Sequence, residues 1–156
     1  MTGSRMTGSP NNNVDPHQTA NQLLRSHGHR YTAARRRIVE VLGNASGPLT
    51  VPQLIERNNN LAESSTYRNL SILQAAGVVM IVVTPDDHTR FELDELLTEQ
   101  HHHHLICTDC GDVQDFELSE SVELLLNQEL DRTGRAATFR IDRHRLDLLG
   151  ACAACI

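Results

Sequence analysis

The sequence predicts an α+β protein: a winged helix-turn-helix domain at the N-terminal end and a smaller α/β domain after it. Three observations predict this. Helical periodicity recurs in short capped segments as far as Gly77, then gives way to β-branched runs separated by turn residues. Charge divides along the chain: residues 1–84 hold eight Arg against four acids (+4), and residues 85–156 hold six Arg against sixteen acids (−10), for a net −6. The cysteines form two equally spaced pairs, Cys107-x-x-Cys110 and Cys152-x-x-Cys155, both in the acidic half.

With 39% hydrophobic and 22% charged residues, the composition is that of a folded globular chain. Residues 1–15, "MTGSRMTGSPNNNVD", are expected as a disordered leader. No apolar run approaches the roughly 18–20 residues of a membrane span, and the leader lacks the apolar core of a secretion signal. A cytoplasmic chain with no membrane partner is expected, and in that compartment paired cysteines favour metal over disulfides.

In the first helix, from about Pro16 to Ser26, Ala20, Leu23 and Leu24 share a face until "GHRY" breaks the pattern. Thr32 is the expected N-cap of a second helix, in which Ile38, Val41 and Leu42 recur at helical spacing up to Gly43-Asn44. Thr50 caps a third, short helix through Leu54 and Ile55, ended by "NNN" at 58–60. Ser64 or Ser65 caps a fourth, "STYRNLSILQAAG", whose Leu70, Leu73 and Ala76 form a stripe and whose Gly77 stops it. After it, "VVMIVVT", "PDD" and "HTRFEL" read as strand, turn and returning strand. Helices followed by a hairpin make residues 16–93 a winged-helix DNA-binding domain, with the fourth helix presented to the major groove.

Residues 94–100, "DELLTEQ", read as a linker or helical turn, and residues 101–156 as the second domain. There "HHHLIC" and "DVQDFEL" are strands. Ser119 caps a helix to about Thr133 with Val122, Leu125, Leu126 and Leu130 on its apolar side, and "ATFRIDRHRLDLLGAC" is expected as one long strand. A unit of about 60 residues usually needs a staple or a partner subunit.

The cysteines supply the staple. Structural zinc takes four ligands in a tetrahedron, and each Cys-x-x-Cys turn offers two thiolates from one tight loop. The 41 residues between Cys110 and Cys152 suit a strand-helix-strand insert that returns the chain to its start. A redox pair is the rival reading, but neither pair follows the βαβ unit of a thioredoxin-like fold.

The run "QHHHHLICTDCG" raises a second question. In a strand, side chains alternate, so His101 and His103 face one way and His102 and His104 the other. The run therefore serves two sites or is an exposed polar strand. Carboxylates and a further histidine to complete such sites stand at Glu92, Asp115, Glu123 and His144, whereas His17, His27 and His29 lie in or near the first helix and are expected to have no part.

Together, "TYRNL", "HHHHLICTDCG" and "DRHRLDLLGACAAC", ordered behind a basic winged helix, resemble the ferric uptake regulator family of bacterial metal-dependent repressors. The resemblance covers nearly all of Leu23 to Cys155. It implies a homodimer that binds palindromic operator DNA when metal-loaded, the C-terminal α/β unit being the dimerisation domain. Cys107, Cys110, Cys152 and Cys155 would form a structural zinc site, and His101, His103, Glu123 and His144 a second site. His102 and His104, with Glu92 and Asp115, would form the regulatory site at the hinge, with His88 of the wing as a substitute ligand. On the DNA side the resemblance assigns Ser65, Thr66, Tyr67 and Arg68 of the fourth helix, Arg30 toward the minor groove and Arg35 to the backbone.

Two departures bear on the sensed metal. Where iron- and peroxide-sensing members carry a histidine before the third helix this chain has "SGPLT", and there is no spare cysteine near the hinge as in many zinc sensors. Four consecutive histidines lean the reading to regulation of zinc uptake, with a regulatory Zn²⁺. Fe²⁺ sensing is the alternative and peroxide sensing a third. A zinc hydrolase would need an open coordination position and a base, and no His-Glu-x-x-His is present; no enzyme is expected. A metal store would not need the basic N-terminal half.

Overall fold

The computed structural model describes residues 15–156, so the expected leader, apart from Asp15, lies outside the described residues. Asp15 accepts a hydrogen bond from the His17 amide and opens α1 (Pro16–Ser26), which buries Ala20 and Leu24. Thr32 and Thr50 cap α2 (Ala33–Gly43) and α3 (Val51–Arg57), and Gln53 completes a capping box with Thr50. The fourth helix, α4 (Glu63–Ala75), departs from expectation. It starts after Ala62 without a side-chain cap, and the Ser65 and Thr66 hydroxyls instead donate back to the Ala62 carbonyl at 3.0 and 2.8 Å.

An antiparallel hairpin follows, β1 (Val79–Val83) paired with β2 (Thr89–Leu93), with Val79 opposite Leu93 and Val83 opposite Thr89. Leu24, Ile38, Leu54, Leu70, Leu73, Val78 and Phe91 meet in one core between helices and hairpin. The segment expected as a linker holds a single turn, α5 (Glu95–Thr98), capped by Asp94. Its Leu97 is buried in that same core, so the chain is anchored immediately before the histidine run.

The second unit is a three-stranded sheet in the order β4-β3-β5, from β3 (His103–Cys107), β4 (Val113–Phe116) and β5 (Asp147–Gly150), with α6 (Glu120–Ala137) between β4 and β5. β3 is central, antiparallel to β4 and parallel to β5. The long strand expected over "ATFRIDRHRLDLLGAC" is corrected to β5 alone. α6 continues past Thr133 to Ala137 and ends at Thr138, which has φ +52°. The chain then turns back over Gly134, where a Cβ would stand 2.7 Å from the Phe139 carbonyl, so residues 139–146 run as neither helix nor strand.

This unit buries little apolar surface of its own. In β3 only Ile106 and Cys107 are buried hydrophobics, while Val122, Leu124, Leu125, Phe139, Leu148 and Leu149 stand exposed. Among the described residues, no helix is long and apolar enough to cross a membrane.

Candidate metal centres and DNA-facing surface

Three groups of ligand-type side chains converge in the second unit, and within each all donor atoms lie within 4.8 Å of one another. The first is Cys107, Cys110, Cys152 and Cys155. β3 ends at Cys107 and β5 at Gly150, its register partner, so the parallel pairing brings both Cys-x-x-Cys turns to one end of the sheet. Cys110 Sγ and Cys152 Sγ are 3.7 Å apart, and the Cys152 amide donates to Cys107 Sγ at 3.3 Å. Amides of Cys110, Cys152 and Asp109 bring the Cys107 thiol down to about 6, toward the thiolate a metal requires. Hydrogen bonds to the neighbouring sulfurs push Cys155 up to about 12. None of the four is in a disulfide. Four convergent sulfurs fit structural zinc.

The second group is His101, His103, Glu123 and His144. Glu123, in the first turn of α6, is 3.2 Å from His103 Nε2 and 3.0 Å from His144 Nε2, and His101 Nε2 is 3.2 Å from His144 Nε2. Burial pushes the Glu123 carboxyl up, but hydrogen bonding to His103 and the neighbouring imidazoles bring it net down.

The third group is Glu92, His102, His104 and Asp115. Glu92 lies on β2 of the winged-helix unit, and its Oε2 is 3.3 Å from His102 Nε2 and 3.0 Å from His104 Nε2. Asp115, opposite His104 on β4, completes the group at 3.8 Å. Burial alone would raise Glu92, yet hydrogen bonds from both imidazoles hold it at about 2. The same bond to Glu92 lifts His102 to about 9 against its own burial. Burial likewise pulls His104 down, and Glu92 and Asp147 more than offset that, leaving it raised. Burial raises Asp115. A cleft of about 470 Å³, lined in part by Leu42, Gly47, Glu92, His102 and Asp115, gives an ion a route in. Two imidazoles and two carboxylates fit a divalent first-row cation.

The alternation inferred from strand period thus recurs in the structure, although β3 begins only at His103 and the first two histidines precede it. His88 is corrected. It is exposed in the β1–β2 turn and stands in none of the three groups, because Glu92 sits at the opposite end of β2. Two carboxylates escaped the sequence reading: Glu95 Oε1 lies 2.8 Å from His101 Nδ1, and Asp147 Oδ1 lies 3.1 Å from His104 Nδ1. Only the parallel register of β5 reveals Asp147. His17, 2.6 Å from the Tyr31 hydroxyl, and His27 and His29 join none of the groups.

On the winged-helix unit, Arg30, Ser65, Tyr67 and Arg68 are exposed, Tyr67 by 50%. Two residues expected to face DNA are buried. Thr66 is 1% exposed and spends its hydroxyl on α4 itself. Arg35 is 9% exposed, and its guanidinium donates to Asn69 Oδ1 and to the Arg30 carbonyl, bracing α2 against α4.

Comparison with known proteins gives this arrangement its context. Residues 26–149 match the ferric uptake regulator family. Over 139 residues the chain is 34% identical to the ferric uptake regulation protein of Klebsiella pneumoniae, spanning 85% of this chain and 84% of that one. Over 140 residues it is 27% identical to the peroxide operon regulator of Bacillus subtilis, spanning 86% and 89%. The fold matches the crystal structure of the Vibrio cholerae ferric uptake regulator with a TM-score of 0.65 and 28% identity, over 85% of this chain and 98% of that one. Such proteins are metal-responsive transcriptional repressors, not enzymes, built from a winged-helix DNA-binding domain and a dimerisation domain. A family match that runs from the end of α1 to β5, over a fold of the same two units, establishes that this chain belongs to the ferric uptake regulator family.

Proposed function

We propose that this chain is a homodimeric repressor that binds palindromic operator DNA when Glu92, His102, His104 and Asp115 hold a divalent metal, and that it controls zinc uptake. One observation carries this reading: Glu92 on the wing and the two even-numbered histidines of the second unit share one donor group. A bound cation attracts all four donors and offsets the repulsion between the Glu92 and Asp115 carboxylates. Glu92 can join His102 and His104 only when the wing lies against the sheet, so loading favours that arrangement over open ones. Two winged helices held at a fixed separation match two half-sites, and an open ensemble does not.

The cysteine group is read as structural zinc, and the His101, His103, Glu123, His144 group as a second metal site in the same unit. For the regulatory ion, the four compact donors brought together among the described residues favour Zn²⁺ with its four-coordinate preference. Fe²⁺ is the alternative, supported by the relatives named for ferric uptake and peroxide regulation. DNA from the promoter of the chain's own gene, labelled for fluorescence anisotropy, tests the proposal. The protein, with its cysteine zinc retained, should bind tightly with Zn²⁺ and weakly when the regulatory metal is stripped. Equal affinity in both states overturns the regulatory reading, and tight binding with Fe²⁺ alone replaces zinc with iron.

A further inference from the structure

Asp147 belongs to no donor group, yet it touches the most deeply enclosed imidazole of the proposed regulatory site. The sheet register sets His104 between Asp115 of β4 and Asp147 of β5, so all three side chains share one face. The two aspartates meet opposite edges of the ring. Nε2 faces Glu92 at 3.0 Å and Asp115 at 3.8 Å, whereas Nδ1 meets Asp147 at 3.1 Å.

A neutral imidazole carries one proton, and the nitrogen that keeps it cannot bind a metal. A carboxylate at Nδ1 holds the proton there, fixes the ring about its χ angles and turns the Nε2 lone pair toward Glu92 and Asp115. His103 shows the contrast. Its Nε2 faces Glu123, but its Nδ1 is buried without a hydrogen-bond partner among the described residues. Ligation through that Nε2 strands an N–H where nothing accepts it. Asp147 itself is held by Arg145, whose Nε and Nη2 approach it at 3.1 Å each and whose Nη1 donates to the Ile81 carbonyl on β1.

Given the reading of Glu92, His102, His104 and Asp115 as a metal site, we infer that Asp147 is its positioning residue, holding His104 in the tautomer and orientation that ligation requires. The test is cobalt titration of the full chain with its cysteine zinc retained, against a chromophoric chelator, in a His101→Ala/Glu123→Ala/His144→Ala background that leaves the other group a single histidine. Cobalt d–d absorption reports the geometry of the remaining site. Asp147→Leu should lower affinity about 10- to 100-fold and alter the bands. Asp147→Asn, whose carbonyl oxygen still accepts from Nδ1–H, should recover most of the affinity and the parental spectrum. Arg145→Met, which leaves Asp147 in place, should bind within a few-fold of the parent. Parental affinity and bands in Asp147→Leu overturn the inference. So does a loss in Arg145→Met as large as that in Asp147→Leu, which would make bracing between the units the cause. If Asp147→Leu does not fold, Asp147→Ala takes its place, with the same loss expected and the same parental result overturning the inference. If that triple-variant parent binds no cobalt, the metal site itself fails, and the inference with it.

Discussion

Glu92 Oε2 and His104 Nε2 lie 3.0 Å apart, joining the last strand of the winged helix to the central strand of the second unit. Because the carboxylate is buried and its partners are imidazoles, it is the one acid of the DNA-binding unit within the regulatory group. Glu92→Gln should therefore abolish metal-dependent operator binding, with at least a tenfold weaker response in an anisotropy titration with Zn²⁺. The cysteine zinc, measured by thiol titration, should remain. A full metal response in this variant would exclude Glu92 as a ligand.

The protonation of this group makes loading pH-dependent. His102, at about 9, is protonated at neutral pH in the metal-free chain, while Glu92, at about 2, is ionised. His102 is raised relative to its unfolded value, so its pairing stabilises the metal-free chain fully below about pH 6.5 and is lost as pH rises through about 9. Metal binding runs the other way, since the ion must displace that proton. Calorimetry at pH 7.5 in buffers of different ionisation enthalpy should show release of at least one proton per regulatory metal, from His102, and affinity should fall as pH drops. Zero proton release would contradict the assignment.

Arg35 and Arg68 should separate stability from DNA binding. Arg68→Ala removes an exposed cation and should weaken binding to operator and random DNA alike, with a shallower salt dependence. Arg35→Ala removes the brace to Asn69 and the Arg30 carbonyl and should cost about 1–3 kcal/mol in thermal or denaturant unfolding. If Arg35→Ala left stability unchanged and reduced the salt slope, the phosphate role expected from the sequence would be restored.

Gly111 couples the cysteine turn to the wing. It has φ +73°, and a Cβ there would stand 2.1 Å from Asp86 Oδ2. Asp86 cannot readily yield, because Arg90 grips it at 2.7 Å and holds its carboxyl well below the usual carboxylate range. Gly111→Ala should destabilise by about 1–3 kcal/mol. Asp86→Ala should relieve the clash but not the backbone strain, so a double-mutant cycle read by thermal unfolding should be non-additive. Strict additivity would show that the two do not meet.

The exposed apolar residues of the second unit make oligomeric state testable. Leu125 on α6 and Leu149 on β5 are 64% and 65% exposed, in a unit with almost no core of its own. Light scattering should show a dimer for the parent and a monomer for Leu125→Asp/Leu149→Asp. A dimer that persists in this variant would place the subunit contact elsewhere.

Much of this architecture was legible from local pattern. Thr32 and Thr50 announce their helices by capping chemistry, and the two faces of the histidine run follow from strand period, although two of the four histidines precede the strand. What stayed hidden depends on neighbours distant in sequence. Thr66 and Arg35 look like surface polar residues until packing encloses them. Asp147 acquires a partner only through the register of a parallel strand 43 residues away, and α6 runs to Ala137, past the stop expected for it.

Leu97 fixes where the connection between the two units begins. Because that side chain is locked in the winged-helix core, the connection between the units begins with the residues just after α5, where Glu99 adopts φ +54° and Gln100 leads into His101. The four histidines thus sit directly at that connection. An ion held by Glu92, His102 and His104 would tie β2 to the second unit there, and with it the domain that carries Tyr67 and Arg68.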